Sequence, residues 1–229
     1  MKKKIIVGQS GGPTAVINGS LYGVASEGVK KTSDIDTVYG MINGIEGFLH
    51  GNYMDLGALD KTNELELIRT TPGAYLGSCR YKLPEDLHDP VYPELFRRFE
   101  ELNIGYFFYI GGNDSMDTVS KLSRYANGIG SDIRFIGIPK TIDNDSWGTD
   151  MTCGCQSAGN IATEAIDCIH TTAASHSRIF IVEVMGHKVG LLTLHAGIAG
   201  GADIILIPEI PYDIDKIADA VRKRNRAGK

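Results

Sequence analysis

The chain has 229 residues, with 23 Lys and Arg against 28 Asp and Glu, a formal net charge of −5, 42% hydrophobic residues and 28 glycines. That balance supports a sizeable core, excludes a disordered or collagen-like chain, and gives no reason to expect nucleic acid as a partner. Four cysteines are too few for a disulfide scaffold, and no hydrophobic run is long enough for a signal peptide or a membrane span, so a cytoplasmic globular protein is expected.

Lys4-Ile5-Ile6-Val7-Gly8 reads as a short buried strand, Ser10 to Thr14 as a glycine turn, and Ala15 to Lys30 as a helix. Thr37 to Gly40 and Ile104 to Ile110 are further strands, the second running through Gly111-Gly112-Asn113-Asp114-Ser115 into a helix near Met116 to Tyr125. Between them, Gly51 to Pro93 is irregular, with turns and short helix candidates. Ile133 to Ile138 is a buried run that Pro139 is expected to stop. After a polar segment comes a long helix, about Gly154 to Thr172, then strands at Arg178 to Val184 and Asp203 to Ile207. A helix over Gly190 to Ala199 separates those strands, and another at Asp213 to Lys223 has Asp213 and Asp215 at its positive end. The alternation predicts an α/β chain with a parallel sheet covered by helices, and a domain boundary near Pro139. The basic end followed by Gly228 suggests either a lead into another element or a short terminus.

Glycine loops after parallel strands gather where ligands bind, and a following helix offers free N–H groups to phosphate. Gly11-Gly12, Gly111-Gly112 and the Gly73/Gly77 segment are such loops, although glycine turns also serve packing, and neither double-glycine loop has the Gly-Lys-Ser/Thr ending of a Walker A motif. Thr141-Ile142-Asp143-Asn144-Asp145 is sharper. If extended, Asp143 and Asp145 point the same way and can share a magnesium ion or divide base and metal work, while Lys140 compensates phosphoryl charge. A solvated acidic turn is the plainer alternative. Arg69, Arg80 and Arg178 are candidate anion clamps, and His187 and Lys188 close a predicted strand at the ligand edge. His195 is expected to pack within its helix. Cys153-Gly154-Cys155 has no second cysteine pair at zinc-site spacing.

Taken in order, Ser10-Gly11-Gly12, Gly77-Ser78-Cys79-Arg80, Gly111 to Ser115, Pro139 to Asp145, Val184-Met185-Gly186 and Pro208-Glu209 resemble the phosphofructokinase family, most closely its pyrophosphate-dependent members. The resemblance covers essentially the whole chain. It implies two three-layer, parallel-sheet α/β domains, residues 1–139 for the phosphoryl donor and 140–229 for fructose 6-phosphate, with the active site in the cleft between them. It implies phosphoryl transfer from pyrophosphate to O1 of fructose 6-phosphate, giving fructose 1,6-bisphosphate, with ATP as the alternative donor. Asp143 becomes the base, Asp145 supports it or the magnesium site, and Thr141 contacts the moving phosphoryl group. Gly11, Gly12, Arg80, Gly112, Asp114 and Ser115 face the donor, and Asn113 with Asp145 would hold Mg2+. Arg178, Met185, Gly186, His187 and Glu209 face the sugar. Arg178 resembles an arginine that reaches into a neighbouring subunit, which implies a homodimer or homotetramer.

ATP-dependent bacterial members usually carry glycine at the positions of Asp114 and Lys140. A carboxylate at 114 would fill and repel the space of an α-phosphate, and Lys140 can hold pyrophosphate instead. Two departures stand out: Asn113 where the family usually has Asp, and His187 where it often has Arg. Family chains also run past the Ala227-Gly228-Lys229 segment to further sugar-phosphate ligands, so the resemblance implies a fragment of a longer enzyme whose own turnover is in doubt. The rival readings are a nucleotide-linked oxidoreductase, for which the Gly-x-Gly-x-x-Gly turn is missing, and a non-catalytic phosphosugar-binding module.

Overall fold

The computed structural model describes residues 2–62 and 64–226. The chain divides into two compact units, Met1–Lys140 and Thr141–Lys229. The expected lead into another element at Gly228 lies outside the described residues.

The first unit is built on strands β1 (Lys3–Gln9), β2 (Ile35–Met41), β3 (Tyr53–Asp55), β4 (Ile104–Gly111) and β5 (Arg134–Thr141). They run side by side in the order β3-β2-β1-β4-β5, all parallel except β3, which pairs antiparallel with β2. Helices α1 (Ala15–Lys30), α5 (Val91–Glu101) and α6 (Asn113–Ile129) supply the crossovers, and short helices α2 (Gly44–Leu49), α3 (Gly57–Asp60) and α4 (Glu64–Leu67) fill the stretch between. The second unit contains a two-residue strand, β6 (Cys153–Gly154), and helices α7 (Cys155–His176), α8 (Leu191–Ala199) and α9 (Ile214–Arg226).

Strand periodicity sorts the first unit's core into two layers. On β1, Ile5 and Val7 join Ile17, Leu21 and Ala25 of α1, whereas Ile6 joins the opposite cluster with Phe96 and Phe99 of α5 and Leu122 of α6. On β4, Phe107 and Tyr109 face that second cluster and Ile110 faces the first. Runs that are apolar at every position are therefore what a sheet covered on both faces requires. The aromatic side is tight: the Phe107 ring centroid lies 5.6 Å from Phe99 and 5.3 Å from Phe135. The α/β reading with a mainly parallel sheet thus stands.

Three sequence expectations need correction. Pro139 does not end its strand, because β5 continues to Thr141. Its pairing to β4 stops at Gly111↔Pro139, so the missing proline N–H falls where that ladder closes. The segments 178–184 and 203–207 form no strand among the described residues. Ile179 and Ile181 are 69% and 94% exposed, so the apolar pattern of a buried strand is present without a neighbour to pair with. His195 is exposed on α8 rather than packed.

Asp213 does serve α9 as expected: its Oδ1 accepts the N–H of Asp215 at 2.9 Å. No helix among the described residues is long and apolar enough to cross a membrane. Phe107→Ala should lower stability by about 3–5 kcal/mol, the cost of a large void in a closely packed aromatic cluster. Equilibrium urea unfolding reads this directly, and an unchanged midpoint would contradict the packing described.

Candidate active site

In the first unit, the strand ladder brings two glycine loops together. Gln9 of β1 sits opposite Ile110 of β4, and the N–H of Ser10 donates to the Ile110 carbonyl at 2.9 Å. The Ser10 and Ser115 hydroxyl oxygens then lie 2.7 Å apart in a buried contact. Gly111 is required there, since a Cβ would fall 2.0 Å from Ser115 Oγ. Ser115 is 2% exposed, so its hydroxyl ties one loop to the other from beneath.

The third glycine segment closes on the same place. Ser78 Oγ donates to the Gly11 carbonyl at 2.6 Å, and the Gly11 N–H donates to the Cys79 carbonyl at 3.1 Å. This reciprocal pair needs Gly11 at φ +77° and Gly77 at φ +72°, a region costly for residues with a Cβ. Arg80 follows immediately and is exposed. Below the bracket, the Tyr109 hydroxyl lies 3.5 Å from Cys79 Sγ, and burial pushes the phenol well above its ordinary pKa, with the Cys79 thiol adding to the effect.

Lys140 completes the cluster. It is 4% exposed, and its ammonium donates to the Gly12 carbonyl. A Cβ built on Gly11 would stand 3.9 Å from both Lys140 Nζ and the Gly112 nitrogen. Gly11, Gly12, Gly112 and Lys140 thus converge, with the N-terminus of α6 alongside. That end carries exposed Asn113 and Asp114, and Lys82 Nζ sits 3.0 Å from Asp114 Oδ1. An N-terminal helix turn, glycine backbone and a held ammonium are groups that can together receive a phosphorylated ligand.

In the second unit, Asp143 and Asp145 do not lie on an extended chain as expected. Asn144 has φ +56°, a left-handed conformation that Asn tolerates better than most residues, so the alternation of an extended segment is broken. The turn is held by a pair that sequence reasoning missed, Asn144 and Thr152. Asn144 Nδ2 donates to the Asp150 carbonyl at 3.1 Å, and its Oδ1 accepts the Thr152 N–H at 2.8 Å. The buried Thr152 hydroxyl donates to the Thr141 carbonyl at 2.8 Å, and the Asp143 N–H donates to Thr141 Oγ1 at 3.2 Å. An Asn between two acidic residues was a visible signal for a special turn; Thr152 gave none. Asp143 is half-buried and Asp145 exposed. Burial pushes the Cys155 thiol up, and the Asp143 carboxylate adds to the shift, which locates that negative charge beside the start of α7.

Farther along, Gly186 to Val189 forms a tight turn in which the Val189 N–H donates to the Gly186 carbonyl at 2.8 Å. A Cβ on Gly186 would meet the Val189 carbonyl oxygen at 2.3 Å, and His187 sits at φ +53°. Glu209 Oε1 accepts the N–H of Gly190, the residue before α8, at 2.7 Å, bringing Glu209 to the turn that bears Gly186 and His187. Met185, His187 and Arg178 are exposed. Arg178 follows the left-handed Ser177 at the end of α7.

Magnesium takes oxygen ligands, keeps several waters, and is commonly held by one or two carboxylates plus phosphate oxygens. Among the described residues no group of three or more His, Cys, Asp or Glu gathers into a closed cage. The exposed side-chain oxygens of Asn113, in the first unit, and of Asp145, in the second, are each hard donors of the kind magnesium takes. Asn144→Gly should keep the turn's backbone while losing its tethers, whereas Asn144→Ala loses both. Chemical denaturation should therefore find the alanine variant less stable by about 1 kcal/mol, and equal stabilities would contradict the left-handed assignment.

The phosphofructokinase family model matches residues 4–229. The ATP-dependent 6-phosphofructokinase of Spirochaeta thermophila is 36% identical over 96% of this chain and 59% of its own length. The pyrophosphate–fructose 6-phosphate 1-phosphotransferase of Rhodospirillum rubrum is 37% identical over 97% of this chain and 55% of its own. The crystal structure of a pyrophosphate-dependent phosphofructokinase from Marinobacter aquaeolei superposes with a TM-score of 0.89 at 36% identity, covering 98% of this chain and 57% of that one. The chain therefore spans between half and two thirds of the length of these relatives. The match from near its first strand to its last residue, with the glycine loops and the acidic turn in their order, means that the chain belongs to the phosphofructokinase family.

Proposed function

We propose that the protein to which this chain belongs transfers a phosphoryl group from pyrophosphate to O1 of fructose 6-phosphate, in the cytoplasm, as part of glycolysis or its reversal. The observation that carries the donor half is the Lys140 ammonium held against the Gly12 carbonyl beside Gly11 and Gly112. A fixed, nearly buried cation among backbone N–H groups suits a small, densely charged donor. Asp114 at the α6 terminus adds a carboxylate that disfavours the longer polyphosphate chain of a nucleotide. Arg80 supplies a planar fork to the same donor.

The acceptor half falls to the second unit. Asp143 takes the proton from the sugar 1-hydroxyl as the new O–P bond forms and the P–O–P bond of pyrophosphate breaks, and the remaining phosphate departs. Thr141 contacts the moving phosphoryl group, and Asp145 supports the carboxylate or the metal. Magnesium, when bound, neutralises charge on the phosphoryl oxygens. Met185, Gly186, His187 and Glu209 cradle the sugar, and Arg178 reaches a sugar phosphate across an interface in a dimer or tetramer. Catalysis is then positioning and charge neutralisation, with little covalent work for the protein.

ATP as donor is favoured by a separate observation. Asp114 is 72% exposed and paired with the equally open Lys82, so its carboxylate projects into solvent rather than filling the loop junction. An exposed pair of this kind is worth about 0–1 kcal/mol and is readily rearranged. The Spirochaeta thermophila relative, 36% identical, is named for ATP.

Steady-state assays of the full-length gene product, with magnesium, fructose 6-phosphate and either donor, should show preference for pyrophosphate. A thousand-fold preference for ATP would overturn that choice of donor, and no turnover with either would leave the phosphosugar-binding reading. Replacing Asp114 and Lys140 together by Gly should move the preference towards ATP. Asp143→Asn should lower kcat by about 100- to 10,000-fold while fructose 6-phosphate still binds; ordinary turnover in that variant would remove Asp143 as the base.

A further inference from the structure

Two buried amides lie beneath the glycine loops with no role in the chemistry above. Gln9, the last residue of β1, and Asn18, in the second turn of α1, are each 0% exposed. Gln9 Nε2 donates to Asn18 Oδ1 at 2.9 Å and to the Ile17 carbonyl at 3.2 Å. Gln9 Oε1 accepts the Leu76 N–H at 2.9 Å. Asn18 Nδ2 donates to the carbonyls of Thr71 and Gly73 at 2.6 and 2.8 Å, and Asn18 Oδ1 also accepts the Tyr75 N–H at 2.9 Å. Every amide hydrogen and both amide oxygens are thereby engaged, as a buried polar pair requires.

These bonds are aimed at one segment. Four of them end on the backbone of residues 71–76, which enters the loop through Gly73 at φ +74° and leaves it through Gly77 at φ +72°. Immediately beyond come Ser78 and Cys79, whose reciprocal bonds bracket Gly11, and then Arg80. The amide pair also stands on the two elements that flank Gly11-Gly12, the end of β1 and the start of α1. It therefore fixes the spacing between the loop that carries Arg80 and the loop that carries Gly11 and Gly12.

We propose that Gln9 and Asn18 are positioning residues for the phosphoryl donor, setting the Gly77–Arg80 turn against the Gly11–Gly12 loop through the backbone of residues 71–76. The inference rests on the donor-site reading given above. Pro72, Gly73 and Tyr75 are exposed, so this backbone can turn to water when the amides are lost. The segment then loses its place rather than its fold. A group that served only the core would not separate donor affinity from sugar affinity.

Asn18→Asp in the full-length protein keeps the acceptor for Tyr75 and removes the donors to Thr71 and Gly73. Titration calorimetry with pyrophosphate and magnesium should show donor binding weakened about tenfold or more. The KM for fructose 6-phosphate should stay within about twofold, because its contacts are assigned to the second unit. Asn18→Ser, which leaves room for a water molecule, and Gln9→Glu should behave alike, so that one poorly folding variant does not decide the matter. Unchanged pyrophosphate affinity in a variant that melts as the unaltered protein does would overturn the positioning role. An equal rise in both substrates' constants would overturn it as well, since general loosening explains that pattern. Failure of the unaltered protein to bind pyrophosphate or ATP would instead overturn the donor reading, and this inference with it.

Discussion

The parallel pairing of β1 with β4 is the constraint on which the first unit's site depends. Residues 9 and 110 are 101 positions apart in the chain, yet the ladder sets them opposite each other. Both strands end at the same level, so both glycine loops leave the sheet together. The consequences follow in order: Ser10 reaches the Ile110 carbonyl, the Ser10 and Ser115 hydroxyls meet, and Gly111 must lack a side chain. On the far side β5 pairs with β4 up to Gly111↔Pro139, which delivers Lys140 one residue beyond the same edge. A one-residue slip of β4 against β1 would exchange its faces and part the two glycine loops, and a slip of β5 against β4 would misplace Lys140. Core packing guards against the first slip, because Phe107 and Ile110 belong to opposite clusters.

Buried cations show how polar contacts complete what the sheet begins. Lys140 and Lys121 are 4% and 3% exposed in a chain whose formal charge is −5. Lys121 has carboxylates at hand, with Glu85 Oε1 at 2.6 Å and Asp117 Oδ2 at 2.7 Å, and its amino group also donates to the Leu83 carbonyl. Those partners hold its pKa above the usual lysine value. Lys121 thereby fastens the Leu83–Glu85 stretch to α6. Lys140 donates to the Gly12 carbonyl and so fastens the end of β5 to the first glycine loop. Each buried ammonium thus ties together backbone segments that the sheet alone does not join.

Much of this was legible in the sequence wherever a short-range pattern determines the outcome. Strand, glycine turn and helix at Lys4 to Lys30 and again at Ile104 to Tyr125 were readable because buried parallel strands are apolar throughout and their loops need glycine. The family resemblance then ordered the candidate residues. What could not be read depends on partners distant in the chain. Pro139 looked like a stop, but the end of the β4 ladder absorbs its missing N–H. The run at 178–184 looked like a buried strand and has no ladder among the described residues, since composition records only a strand's suitability for pairing. The left-handed Asn144 turned an expected extended pair of carboxylates into a cornered one. Gln9 and Asn18 carried no motif at all, because an amide's value lies in which backbone groups come within reach.

The two units hold their candidate residues by different means, and the chemistry gives a reason. In the first, backbone and buried side chains form closed circuits: Gly11 with Ser78 and Cys79, Ser10 with Ser115, Gln9 with Asn18. Groups that receive a multiply charged phosphoryl donor gain most from being fixed in advance, since reorientation during transfer would cost part of the stabilisation they provide. In the second, the acidic turn is tethered at Asn144 and Thr152, yet Asp145 remains exposed and Asp143 only half-buried. In the proposed reaction, a carboxylate that accepts a proton and returns it to solvent needs that access, and deep burial would favour the neutral form of any such group. Tethering the backbone while leaving the carboxylates partly solvated satisfies both demands. It confines the geometry of the proposed base while leaving it within reach of solvent.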